Sequence, residues 1–145
     1  MTETQGRQWF RKLMEPYITG KLLKFQPIES PSTGLGIPDW WFKTVDTEGW
    51  IEEKTVRPVN ENGVKIDWRP GQFRWMRDYV RLHGLGFLFV FTDHGMYHSL
   101  TVFMNDSIRE SYSMEEFTGL YCFSVTDIRD VEASVLYDVL KVGHQ

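Results

Sequence analysis

Three side chains within residues 34–55, GLGIPDWWFKTVDTEGWIEEKT, have the types and spacing to handle a phosphate ester: Asp39, Glu52 and Lys54. Asp39 follows Pro38 at the head of one apolar run. Glu52 and Lys54 lie in a second run, reached through the turn residues Asp46, Thr47, Glu48 and Gly49. Two carboxylates on neighbouring strands can hold a hard divalent cation, Mg²⁺ or Mn²⁺, and leave positions open for water and phosphate. Strand side chains alternate between faces, so Glu52 and Lys54 share one side and Glu53 points to the other. Lys54 is then beside the cation, placed to orient or deprotonate an attacking water. The backbone carbonyl of Glu53 could supply one more oxygen ligand, while its side chain is expected at the solvated surface or near Arg57. The chemistry such a centre suits is phosphodiester hydrolysis, in which water is delivered in line and the charge developing on the phosphoryl oxygens is neutralised.

The remaining elements must bring those two strands side by side. Residues 3–18 carry Trp9, Phe10, Leu13, Met14 and Tyr17 at helical spacing, with Pro16 near the end. Residues 21–29 read as extended, and 30–36 as a loop in which Gly34 and Gly36 leave room for a phosphate or metal. Strands are predicted over 38–45 and 50–56 with a four-residue hairpin connection, followed by a loop over 57–67. Gln72 opens a helix over 72–82, whose apolar stripe is Phe73, Met76 and Val80, widened by Trp75 and Tyr79. Arg74, Arg77 and Arg81 share one side of that helix and, with Arg69, form a candidate set of DNA phosphate contacts. The run LGFLFVF at 85–91 predicts a central buried strand, and 96–103 another. Ser113 and Glu116 have capping-box spacing for a short helix ending near Gly119. Thr126 is predicted to cap a last helix through Val142, with Ile128, Val131, Val135, Leu136, Val139 and Leu140 facing the core. The expected architecture is one α/β sandwich with a central mixed β-sheet flanked by helices.

Composition is compatible with that. The 145 residues are 41% hydrophobic and 15% aromatic with six Trp, enough for a sizeable core. Cys122 is the single cysteine, expected to be buried and unable to form an internal disulfide. No apolar run is long enough to span a membrane and no leader opens the sequence, which predicts a soluble, cytoplasmic protein. The net charge of −4 counts against a nucleic-acid partner, but it is uneven: residues 1–85 carry +2 and residues 86–145 carry −6. His83, His94 and His98 lack the spacing of a metal-ligand set. The tryptophans at 40, 41, 50, 68 and 75 are expected mainly in the core, with Trp68 able to stack on an unpaired base.

Pro38-Asp39, twelve intervening residues, and then Glu52-Glu53-Lys54 resembles the PD-(D/E)xK nuclease superfamily. The approach Gly36-Ile37-Pro38-Asp39 and a later Gln72 opening a helix look like its VRR-NUC branch and the related phage and archaeal Holliday-junction resolvases. The resemblance covers about residues 3–103. It implies a restriction-endonuclease-like core, with 104–145 as a C-terminal helical extension. It further implies that Asp39 and Glu52 bind Mg²⁺ or Mn²⁺, that Lys54 is catalytic and that Gln72 supports the site. A glutamate from the first helix often joins the metal in such proteins, and Glu15 is the better candidate, with Glu3 the alternative. The implied activity is an endonuclease on branched DNA, working as a homodimer and suited to a phage. Two other functions fit the same residues: an exonuclease with the same centre, or a non-catalytic interaction or inhibitor protein that uses the acidic residues 86–145.

Overall fold

The computed structural model describes residues 1–28 and 36–142. The elements in chain order are α1 (Glu3–Thr19), β1 (Leu23–Pro27), β2 (Trp40–Thr44), β3 (Glu48–Val56), β4 (Val64–Lys65), α2 (Gln72–Arg81), β5 (Leu85–Asp93), β6 (His98–Met104), β7 (Ser111–Tyr112), α3 (Met114–Gly119), β8 (Phe123–Val125) and α4 (Ala133–Lys141). Short 3-10 turns occupy Asn105–Ser107 and Ile128–Asp130.

Six strands form one mixed sheet in the order β1-β2-β3-β5-β6-β8. β3 and β5 run parallel, with α2 on the crossover between them, and the other neighbours pair antiparallel. β5 is buried from Leu85 to Thr92, which explains its uninterrupted apolar sequence: both of its faces are covered. On one face Phe87, Phe89 and Phe91 meet Phe10 and Met14 of α1 and Leu136 and Leu140 of α4. On the other, Leu88 and Val90 meet Met76 of α2 and Phe117 of α3.

α1 begins with a capping box, in which the Thr2 side chain accepts the Gln5 N–H and the Gln5 side chain accepts the Thr2 N–H. Ser113 and Glu116 form the predicted capping box of α3.

The C-terminal third departs from the expected helical extension. β8 adds a strand to the main sheet, and β7 pairs with β4 in a small ribbon. Thr126 caps no long helix. Instead the Asp127 side chain accepts the Arg129 N–H and starts a single 3-10 turn, Val131 and Glu132 are extended, and α4 starts only at Ala133. Ile128, Val131, Leu136 and Leu140 are buried as expected, whereas Val135 is 43% exposed.

Candidate active site

The register of the sheet leaves a gap beside β3, and the site is built in it. β2 starts at Trp40, opposite Ile51, so Glu52 and Glu53 have no β2 residue across from them. Asp39 fills that position. Its N–H donates to Glu52 Oε1 at 3.2 Å, and its Oδ2 accepts the Glu53 N–H at 3.0 Å. The N–H and C=O of one strand residue face the same neighbour, so the Glu53 carbonyl is directed to the same gap.

Lys54 is two residues beyond Glu52 and on the same face. Its Nζ lies 3.3 Å from Glu52 Oε2 and donates to Gln72 Oε1 at 2.9 Å. Gln72 Oε1 also accepts the Arg69 N–H at 2.8 Å, so one buried amide ties the 67–69 segment to β3. The Trp68 ring stands 5.8 Å from Lys54 Nζ, with its own Nε1–H donating to the Arg109 carbonyl. Trp68 is therefore a wall against the lysine, held by the segment before β7. The predicted role of Gly36 changes too. A Cβ there would lie 2.5 Å from the Gly71 carbonyl carbon and oxygen, so this glycine admits the start of α2 rather than a ligand. Its φ of +72° also suits glycine. Gly34 lies outside the described residues.

Burial sets the electrostatics. Desolvation raises the Asp39 carboxyl above its ordinary range, with Glu3 adding to the rise and the Glu53 N–H and Lys54 opposing it. Glu52 is pushed up to about 8 by burial and then by the Asp39 charge. Glu53 is pushed up to about 9 by burial and then by Asp39, Glu3 and Glu52. Its side chain is thus neither solvated nor paired at the surface: it is 4% exposed, directed at α1. Gly6 makes room for it, since a Cβ at that position would come 2.1 Å from Glu53 Oε2. A glycine on the buried side of α1 was the one sign in the sequence that something bulky approaches there.

Of the two helix acids, Glu3 is at the site and Glu15 is not. Glu3 pairs with Arg69 at 3.0 Å and lines a cavity of about 180 Å³ with Glu53, Lys54, Asp67 and Arg69. Glu15 is exposed, twelve residues further along, which is about 18 Å of helix. Arg69 sits at this mouth. Arg77 and Arg81 instead line a groove between α2 and the turn at Asn105–Ser107, and Arg74 is exposed. Trp40 is in the core, while Trp41, Trp50 and Trp75 keep part of their surface open. Cys122 is exposed rather than buried.

The donors fit a divalent cation. Glu52 Oε2 is buried and accepts no hydrogen bond; Lys54 is within ion-pair distance without hydrogen-bond geometry. Among the described residues no group of three or more His, Cys, Asp or Glu side chains forms a closed metal cage. What the gap offers is two carboxylates and one carbonyl, the incomplete set that Mg²⁺ commonly uses while keeping its waters. No protein-family model matches this chain, and no curated protein matches it.

Proposed function

We propose that the protein is a Mg²⁺- or Mn²⁺-dependent DNA endonuclease that hydrolyses phosphodiester bonds in branched DNA, acting as a homodimer in the cytoplasm. The observation that carries this reading is the convergence of Asp39, Glu52 and Lys54 in one gap of the sheet, with a buried carboxylate oxygen of Glu52 left without a hydrogen bond. Asp39 and Glu52, with the Glu53 carbonyl, would hold the cation. When bound there it would neutralise phosphoryl charge and acidify a coordinated water.

Lys54 acts as a donor, steadying the phosphoryl oxygens and orienting the attacking water, while Gln72 fixes its ammonium by the 2.9 Å bond. Arg69, on the rim of the cavity, contacts a neighbouring phosphate when it leaves Glu3. Burial of Glu52 and Lys54, at 1% and 9% side-chain exposure, keeps competing water away from these contacts.

The test is incubation of the purified chain with four-way junction, flap, single-stranded and linear duplex DNA, with Mg²⁺, with Mn²⁺ or with EDTA. The expected result is metal-dependent internal cutting that favours the junction or flap. Products released only from free ends would replace the endonuclease reading by the exonuclease one. Tight DNA binding with no cutting under any metal would favour the non-catalytic reading.

A further inference from the structure

Among the described residues, one stretch of the sheet carries no helix, and it leads into the candidate site. α2, α3 and the β4–β7 ribbon cover β5 and β6 on the side where Leu88, Val90 and Phe103 point. On the same side of β1 and β2 no described helix lies over the strands, and the side chains there are Lys24, Gln26, Trp41 and Lys43; β3 adds Glu48 and Trp50, the latter edged by Trp75 of α2. Lys24 and Lys43 are exposed, and Trp41 and Trp50 are partly so.

Their order is set by register. Gln26, Trp41 and Trp50 stand directly across from one another on three adjacent strands, about 5 Å apart at each step. The row continues onto α2, where Trp75 meets Trp50 edge-on at 5.5 Å and stacks on Tyr79 at 5.2 Å. One alternation further along, Lys24, Lys43 and Glu48 stand across from one another, and Glu48 Oε2 accepts the Trp41 Nε1–H at 2.9 Å, which fixes that ring on the face. In the opposite direction, the next residue of β3 on this face after Trp50 is Glu52, and the next is Lys54. The distance from the Trp50 backbone to the Glu52 backbone is about 7 Å, the span of two strand residues, which is also close to the reach of one nucleotide.

Aromatic rings interleaved with lysines on a sheet surface are what unpaired nucleic acid recognises: each base has a face to stack, and the phosphates follow the cations. Duplex DNA cannot use such a row, because its bases are already stacked. We propose that this face binds a single-stranded DNA segment, its bases stacked on Trp41 and Trp50 and its phosphates beside Lys24 and Lys43, and delivers the adjoining phosphodiester to Asp39, Glu52 and Lys54. The inference rests on the nuclease reading for its last clause and names that enzyme's substrate class: DNA with an unpaired strand next to the scissile bond.

The test separates binding from cutting. Fluorescein-labelled oligo(dT) is titrated with the protein in EDTA and followed by anisotropy, and the tryptophan emission is recorded in parallel. The parent is expected to bind oligo(dT) more tightly than duplex, with quenching of its tryptophans. Trp41→Ala should weaken oligo(dT) about tenfold, the loss of one stacked base, and Trp41→Phe should recover most of it. Lys43→Glu should also weaken binding and lower its salt dependence, with no change in duplex affinity. Because Lys43 is exposed, its result stands even if Trp41→Ala folds poorly. Equal oligo(dT) binding by the parent and Lys43→Glu would overturn the proposal. So would a parent dimer that Trp41→Phe dissociates in sedimentation while its oligo(dT) affinity stays unchanged, since the face would then belong to a second copy. If oligo(dT) binds as described and no DNA is ever cut, the nuclease reading fails and the binding face stands; if DNA is cut and Lys43→Glu binds and cuts like the parent, only the binding face fails.

Discussion

The carboxylate of Glu52 accepts the backbone N–H of Asp39 at 3.2 Å, so one proposed metal ligand holds the main chain of the other. Asp39 in turn accepts the N–H of Glu53 at 3.0 Å, closing the gap that β2 leaves beside β3. These bonds tie both carboxylates to the backbone, with Lys54 3.3 Å from Glu52 as the adjacent cation, and they bring acids together in a space where burial disfavours charge. Burial first, and then the neighbouring acids, disfavours ionisation at the point where a cation would favour it.

The cost of ionising these buried acids gives a pH dependence. The folded-state values of Glu52 and Glu53, about 8 and about 9, lie above the ordinary 4.5. Below pH 4.5 both states keep these protons. Between 4.5 and about 9 the unfolded chain ionises first, so stability falls as pH rises, and it levels off above that. Thermal melts in EDTA should therefore show a falling Tm from pH 5.5 to pH 8.5. Glu53→Gln should flatten part of the slope, and saturating Mn²⁺ should stabilise most at the alkaline end. A metal-free Tm that climbs across this range would contradict the assigned directions.

Gly6→Ala tests how closely α1 packs over Glu53. In an exposed helix the change would stabilise by about 1 kcal/mol. Here the new methyl would overlap Glu53 Oε2, which is buried and has little freedom to withdraw. Overpacking of about 1–3 kcal/mol should dominate, lowering Tm by a few degrees. Combining it with Glu53→Ala should recover part of the loss, a non-additivity expected only for residues in contact. A Gly6→Ala protein that melts above the parent would rule out the close approach.

Gln72→Ala removes the shared acceptor of Lys54 Nζ and the Arg69 N–H. Turnover should fall by about 10–100-fold, the usual effect of losing a group that orients a catalytic residue. Mn²⁺ affinity measured by calorimetry should change little, because Gln72 is bonded to neither Asp39 nor Glu52. Loss of Mn²⁺ binding in this variant would place Gln72 in the metal site itself.

Arg69 and Glu3 form an exposed pair, 65% and 54% open, worth at most about 1 kcal/mol of stability. Arg69→Ala should melt within that margin of the parent. DNA binding should weaken, and the slope of log affinity against log salt should fall by about one phosphate contact. Glu3→Gln should do the reverse for binding by releasing the guanidinium. Unchanged salt dependence in Arg69→Ala would remove Arg69 from the DNA interface.

Local pattern made part of this site readable in advance. Asp39, Glu52 and Lys54 sit in short, alternating or apolar runs separated by turn residues, so their strands and the shared face of Glu52 and Lys54 follow from strand geometry. The start of α2 at Gln72 was legible because Pro70 and Gly71 precede it, whereas its place at the site was expected only from the resemblance. Glu53 was not: alternation says that it points away from Glu52, but only packing shows that α1 covers that side, through Gly6. The choice between Glu3 and Glu15 likewise depended on where the end of α1 lies relative to the sheet. The segment from Thr126 to Glu132 misled because Ile128 and Val131 have helical spacing, while Asp127 satisfies the local backbone in a single 3-10 turn. Trp41 and Trp50 resemble core tryptophans in sequence; Trp41 is partly exposed because no described helix lies over β2 on that side, and Trp50 because α2 meets it edge-on, through Trp75.

The central claim is met most directly by a time course of Mn²⁺-dependent cleavage of a labelled four-way junction or flap by the parent and by Lys54→Ala, at equal and verified folding. The account predicts cutting by the parent that EDTA abolishes, and a loss of at least about a hundredfold in Lys54→Ala, as for removal of a single preorganised donor to a developing charge. Equal rates for the two proteins, or no cutting by the parent on any substrate with either metal, would contradict it.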